Sequence, residues 1–370
     1  MADVKMKTKM LRSAVEIVRP AIAKASVGIP ALRTIKMEKM PEGMGISANN
    51  LNVGIRVNLL TEFPDDRPVA ISAERLLNYV KLLDTEEVSI TFKSDKARFS
   101  SGACRAQVPT VEGAPEFPMP TEGQTIAMAQ DVLLRALRHV AFAMTESENR
   151  FVVDGALLTA KDGYLEVAAL DGYRISVYRI EMKGLPECEI LLPGDLCDAL
   201  LATLRDCDAT VSIQLGESAI GVRMEGIEAQ IIEIRAGRLA KKFAPYNKIL
   251  PENRRLAIVL PAPRLLLAAQ RCIAMADIKT QCIRMYFERE SITLNGATPD
   301  SGDADEAVSI EGGPQTKLAM AFKGEYLVDA LKKLRGDVTV DIGEKDQVMM
   351  LYAEPFEGET LRYGVMPMRV

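Results

Sequence analysis

The sequence has no tryptophan and a single histidine, His139. One histidine rules out His-rich metal sites and HExxH zinc chemistry. It also removes most catalytic triads, unless His139 itself is the base. Aromatic residues make up only 5% of the chain, which argues against the base-stacking platforms that hold single-stranded nucleic acid. No CxxC pair occurs. The six cysteines, at 104, 188, 197, 207, 272 and 282, read as reduced, mostly buried thiols rather than a metal or disulfide framework. Long apolar runs are missing too. The longest, Leu256–Leu260 continuing to Leu265–Ala269, is cut by Pro261, Pro263 and Arg264, so no membrane span is expected. The opening MADVKMKTKMLRSAVEIV is charged throughout and has no apolar signal core. A reducing, cytoplasmic setting is therefore expected. Nor is there an excess of positive charge: 46 Lys and Arg against 51 Asp and Glu leave a net −5. That excludes a uniformly basic nucleic-acid binder but not a basic patch on an acidic body.

What is present is ordinary globular material, 48% apolar and 26% charged. A chain of 370 residues predicts two to three domains. Three segments read as an amphipathic helix running into a strand: 72–92, 193–215 and 323–343. Val88, Val211 and Val338 head those strands, at separations of 123 and 127 residues. Three strand–turn–strand segments, 45–57, 164–177 and 291–310, follow nearly the same period. A further helix heads each unit: Lys9–Val18, Asp131–Ala143 and Arg264–Met275. Three copies of about 125 residues therefore account for the chain. EGAPEFPMPTEG (112–123) and FAPYNKILPENRR (243–255) read as the linkers between them.

The head helices carry basic stripes. Leu11, Val15 and Val18 share one face, with Lys9, Arg12 and Arg19 opposite. Arg135 and Arg138 oppose Leu133, Leu137 and Val140, and Arg264 and Arg271 lie on one stripe. On one helix such charges are ordinary solvated surface. Repeated in three units, they can build one positive surface inside an acidic shell. Catalytic motifs are missing: there is no GxxxxGK[ST] loop, and GMG at 43–45 is no dinucleotide fingerprint. The acidic run 300–306 matches no EF-hand, and Asp171-Gly172 reads first as a tight hairpin turn.

FVVDGALLTAKDGYLEVAALDGYRISV (151–177), APYNKILP (244–251) and the terminal YGVMPMRV (363–370) resemble the bacterial DNA polymerase III β subunit, the sliding clamp. The resemblance extends over the whole chain. It implies an α+β fold of three repeated DNA-clamp domains, 1–122, 123–249 and 250–370, each with two helices packed on antiparallel sheets. Two chains would close head to tail into a ring around duplex DNA. The implied function is that of a polymerase processivity factor without chemistry or cofactor of its own. Its implied partners are the replicative polymerase alpha subunit, the clamp loader, repair polymerases, and ligase or mismatch-repair proteins, with no membrane.

By position, the resemblance implies a partner-peptide pocket. Val153, Leu170, Gly172, Tyr173, Arg174 and Ile175 would come from the middle domain, and Ala244, Lys248 and Ile249 from the linker. The third domain would add Tyr326, Val348, Met366, Pro367, Met368 and Arg369. Leu170, Ala244, Thr280 and Lys323 depart from the family's commoner Thr, Pro, aromatic and Asn, which bears on peptide preference. The dimer joint would bring Ala106 and Val108 against Ala274 and Met275. Lys24, Asn149 and Arg150 would join Lys9, Arg12, Arg19, Arg135, Arg138, Arg264 and Arg271 in facing DNA. From the residues alone two other classes stay open: an α+β enzyme on a duplicated scaffold, needing carboxylates converging in one cleft, and a static DNA-binding protein, needing side chains that read a groove.

Overall fold

The computed structural model describes residues 3–63, 67–93, 95–119, 122–145, 152–227, 230–248, 250, 256–298, 302–343 and 347–369. Each repeat supplies the expected pair of helices. The head helices are α1 (Thr8–Val18), α3 (Gln130–Val140) and α5 (Ala262–Met275); the second helices are α2 (Ala73–Lys81), α4 (Gly194–Thr203) and α6 (Gly324–Leu331). Apolar residues at three- and four-residue steps select the buried faces: Leu11, Ala14, Val15 and Val18 on α1, and Leu265, Ala268, Ala269 and Cys272 on α5.

The chain forms two compact units. The first comprises residues 1–134 and 192–239, the second 135–191 and 240–370. The middle repeat thus contributes strands to both. Two antiparallel sheets build the first unit. One is four-stranded, in the order β1 (Asp3–Lys7), β6 (Glu87–Phe92), β7 (Lys96–Ser101), β8 (Cys104–Pro109). The other has eight strands: β5 (Val69–Ser72), β2 (Thr34–Met40), β3 (Gly43–Asn49), β4 (Val53–Leu59), β16 (Ile231–Gly237), β15 (Ala219–Glu225), β14 (Thr210–Leu215), β9 (Gln124–Ala129).

The second unit repeats this plan. Its eight-stranded sheet runs β13 (Cys188–Pro193), β10 (Gly155–Lys161), β11 (Tyr164–Leu170), β12 (Arg174–Glu181), β24 (Glu359–Val365), β23 (Met349–Ala353), β22 (Asp337–Asp341), β17 (Ala257–Pro261). The four-stranded sheet runs β20 (Gly302–Ser309), β19 (Ser291–Thr298), β18 (Cys282–Phe287), β21 (Leu318–Lys323). The seams β4–β16 and β12–β24 join strands of successive repeats. The cysteines are free: Cys197 and Cys272 are buried and Cys104 lies exposed on β8. Among the described residues no helix is long and apolar enough to cross a membrane.

Candidate binding cleft

Strand register lets the two eight-stranded sheets be compared row by row. In the first unit β3 and β4 end on the pair Asn49–Gly54, and in the second β11 and β12 end on Leu170–Ile175, each closing over a loop of four residues. One row in from those loops, the first unit reads Lys36, Ser47, Arg56, Glu233. The matching row of the second reads Leu157, Ala168, Val177, Arg362. In the row at the loops, Asn49, Gly54, Arg235 and Gly221 correspond to Leu170, Ile175, Gly364 and Met350.

These positions share one face of each sheet, since side chains alternate along a strand. In the first unit that face is an ionic network. Arg56 and Asn58 donate to Glu233, at 2.6 and 3.2 Å, and Lys36 pairs with Glu38 and Glu116. Burial would raise the Glu233 carboxyl, but the Arg56 guanidinium outweighs it and holds the group low. The preceding linker closes over this face. Phe117 lies 4.3 Å from the Arg56 guanidinium, and Pro118 packs on Gly54, where a Cβ would come within 2.8 Å of it.

In the second unit the same face is apolar at its loop end. Val152, Leu157, Ala168, Leu170, Ile175, Val177, Tyr246, Leu250 and Met350 form one buried cluster, and Phe243, Ala244, Val348 and Tyr352 pack on it half-exposed. The structure thus gathers Leu170, Ile175, Ala244 and Val348 as the sequence predicts. It adds Leu157, Val177, Tyr246 and Met350, whose apolar character alone does not distinguish them from core. Gly364 was also missed. A Cβ there would lie 2.9 Å from Ile175 Cγ2 and 3.0 Å from both Met350 Sδ and Val348 Cγ1.

Beside the cluster stands the Asp171–Arg174 turn. Asp171 Oδ1 accepts the amides of Tyr173 and Arg174, at 2.9 and 3.0 Å, and Gly172 takes φ +92°, a conformation glycine adopts without strain. Arg174 ties the turn to α6, pairing with Asp171 at 2.9 Å and Asp329 at 2.8 Å and lying 4.3 Å over the Tyr326 ring. Burial would lower the Arg174 pKa, but its bonds to the two aspartates raise it. Tyr173 is exposed, and its carbonyl accepts the amide of Met366 at 2.8 Å. Met368 N–H donates to Ala321 O at 2.7 Å. The terminal Met366-Pro367-Met368-Arg369 segment is thereby fastened beside the turn. Val153 is buried and Lys248 exposed. Ile249 lies outside the described residues. Of the unusual positions, Thr280 is in an exposed turn held by Asp277, and Lys323 donates to Glu325 at 2.9 Å beside the Tyr326 ring.

The basic residues divide into two sets. Lys9, Arg19, Lys24, Arg138 and Arg264 are exposed, and Arg271 is exposed while pairing with Glu306. Arg12 and Arg135 depart from the expected stripe. Arg12 is half-buried and donates to the carbonyls of Val80, at 3.4 Å, and Leu83, closing the end of α2. Arg135 pairs with buried Glu359 at 3.0 Å, and Glu359 also accepts the Tyr178 hydroxyl. Both guanidiniums sit where main-chain carbonyls or a buried acid compete for them, which a helical wheel does not reveal. Asn149 and Arg150 lie outside the described residues. At the expected joint, Val108 is buried within its own sheet, Ala106 is half-exposed, and Ala274 and Met275 are exposed. Among the described residues no cluster of three metal-ligating side chains occurs.

The arrangement is a pair of sheets of matching strand register, one of which carries an ionic face and the other an apolar one. The solved structure of the DNA polymerase III beta subunit of Thermotoga maritima matches it with a TM-score of 0.89 at 20% identity, over 100% of this chain and 99% of that one. A Pseudomonas aeruginosa sliding clamp bound to griselimycin matches with a TM-score of 0.86 at 21% identity, over 100% and 99%. The fold is therefore that of a sliding clamp. The beta sliding clamp of Haemophilus influenzae is 22% identical over 350 residues, 92% of this chain and 93% of that protein. Models for the central and C-terminal domains of the DNA polymerase III beta subunit match residues 127–234 and 247–369, together well over half of the chain. The chain belongs to the DNA polymerase III beta subunit family.

Proposed function

We propose that this protein is a DNA polymerase processivity factor that encircles duplex DNA and holds its partners by the apolar cleft of the second unit. The repeats 1–122, 123–249 and 250–370 serve as its clamp domains. The observation that carries the reading is the row Leu157, Ala168, Val177 standing where the first unit has Lys36, Ser47, Arg56. An apolar row under a half-exposed rim suits the Leu and Phe of an extended Gln-x-x-Leu-Phe peptide, and methionines adapt to several partners. The replicative polymerase alpha subunit, the clamp loader, repair polymerases, and ligase or mismatch-repair proteins dock there in turn. The protein acts in the cytoplasm and needs no catalysis or cofactor of its own.

Two copies close head to tail. β8 and β20 are the edge strands of their sheets, and pairing across two copies removes both open edges. Arg105 on β8 is opposite in sign to Asp303 and Asp305 on β20, which favours that pairing, with Ala106 and Val108 near Ala274 and Met275. Lys9, Arg19, Lys24, Arg138, Arg264 and Arg271 supply phosphate contacts that carry no sequence information. On the same reading Asn149 and Arg150, which lie outside the described residues, add to these contacts. Contact binding to short duplex is then weak and steeply salt-dependent, whereas a closed ring is held by topology. The test is retention at high salt after loading, on nicked circular DNA and on the same DNA linearised. Retention on the circle alone is expected; equal retention on both would overturn the reading.

A further inference from the structure

Residues 243–248 and Leu250 of the linker form one wall of the proposed cleft and are held from behind. The Tyr246 ring lies in the apolar cluster with Leu170, Ile175 and Met350, packed edge-on to Phe243 with centroids 6.0 Å apart. Its hydroxyl leaves that cluster and donates to Glu166 Oε1 on β11. Burial and the facing carboxylate both push the tyrosine pKa up, so the hydroxyl keeps its proton as a donor. The other carboxylate oxygen accepts Arg179 Nε of β12 and Arg362 Nη2 of β24, each at 2.7 Å. Glu166 is thus fixed by two neighbouring strands and reaches the linker from a rigid base. Around Tyr246 the linker makes a short helical turn, with Lys248 N–H bonded to Pro245 O and Leu250 N–H to Tyr246 O.

Two further observations make this bond a latch rather than core filling. A cavity of about 580 Å³ is lined by Glu166, Arg179, Tyr246, Asn247 and Lys248, so water can take over the hydroxyl's bond if the linker lifts. The first unit ties its own linker to the same sheet face by a polar side chain, Glu116 on Lys36. There the acid is on the linker and its partner on the strand; in the second unit the acid is on the strand. Each unit solves the same problem with different residues, as expected if a linker on this face needs fastening.

We propose that Glu166 is a positioning residue of the cleft. Through the Tyr246 hydroxyl it latches the linker wall against the sheet, and so sets how much of the protein is ready to accept a partner peptide. This rests on the cleft being the peptide site. A cleft competent only part of the time shows an affinity reduced by the competent fraction, which appears as slower association with unchanged dissociation.

The test uses the full chain and the variant Tyr246→Phe, which keeps the ring in the cluster and removes the hydroxyl. Amide hydrogen exchange at Tyr246, Lys248 and Leu250 should be about tenfold faster. A fluorescent Gln-x-x-Leu-Phe peptide should bind about tenfold more weakly, through the association rate. Because the acid and phenol act as one device, the double variant with Glu166→Ala should bind no more weakly than Glu166→Ala alone. Unchanged linker exchange in Tyr246→Phe would overturn the latch. Unchanged peptide association, or additive losses in the double variant, would overturn its control of the cleft. A wild-type protein that takes no peptide would instead overturn the peptide reading, and faster linker exchange in the variant would still establish the latch.

Discussion

Gly364 on β24 faces Ile175 on β12 so closely that a single added methyl group would meet the Ile175 Cγ2 at 2.9 Å. The floor of the proposed cleft keeps its packing because this position carries no side chain. Gly364→Val should fill the floor between Ile175, Val348 and Met350. Overpacking of this kind costs about 1–3 kcal/mol. Peptide affinity should fall at least tenfold, read by titration with the labelled peptide, and a variant that binds as well as the parent would show that the floor lies elsewhere.

The terminal segment offers an independent check. Deleting Met366–Val370 removes the bonds from Met366 to Tyr173 and from Met368 to Ala321, together with two methionine side chains. A loss of at least tenfold in peptide affinity is expected, about 1.4 kcal/mol. The exposed Tyr173 turn should also exchange its amides faster, because it loses one of its two anchored flanks.

Arg135 and Arg138 lie within one turn of α3 and should behave oppositely. Arg135→Glu places an acid against buried Glu359, and breaking a largely buried pair costs about 3 kcal/mol or more. Its melting temperature should drop by several degrees. Arg138→Glu, on an exposed residue, should leave stability within about 0.5 kcal/mol yet weaken the salt-sensitive contact with short duplex DNA. Equal melting temperatures for the two variants would refute the division.

Stability should decline on the acid side through His139. Its ring is buried and stacked 4.2 Å from Tyr178, and burial lowers its pKa below the ordinary 6.5 even though Nδ1 bonds to Arg135 O. The unfolded chain therefore takes up a proton at a higher pH than the folded one. This contribution is whole above about pH 6.5 and is lost as the pH falls below it. Glu233, held low by Arg56, adds a second loss below its ordinary 4.5. Melting temperatures across pH 7 to 5 should fall for the parent chain and flatten for His139→Gln; parallel curves would assign the acid loss to other groups.

Local periodicity made the helices, the hairpins and the threefold repeat legible, because each depends on residues a few positions apart. Val88, Val211 and Val338 do lie in matching strands β6, β14 and β22. The sheets were not legible in the same way. Their seams join β4 to β16 and β12 to β24, far apart in the chain, so the units of packing do not follow the repeats. The cleft was half legible. Leu170 and Ile175 fall in the turn motif that resembles the family, and Val348 was carried over by position alone; the structure brings the three to one cluster. Gly364 and Tyr246 could not be placed, since their roles depend on which atoms stand opposite. Arg12 and Arg135 look like surface charge until the carbonyls of α2 and the buried Glu359 are in place.

The matched rows of the two sheets have a consequence for stoichiometry. The two sheets keep the same register at their matched rows although the side chains differ, so the chain carries two copies of one platform. In the first copy, charges at Lys36, Arg56 and Glu233, under Phe117 and Pro118, have sealed the platform. On the proposed reading, the described residues of each chain then offer one docking place instead of two. If two chains close into the proposed ring, a second seat stays vacant while the first is taken, and a newcomer could wait on the same ring before the incumbent leaves.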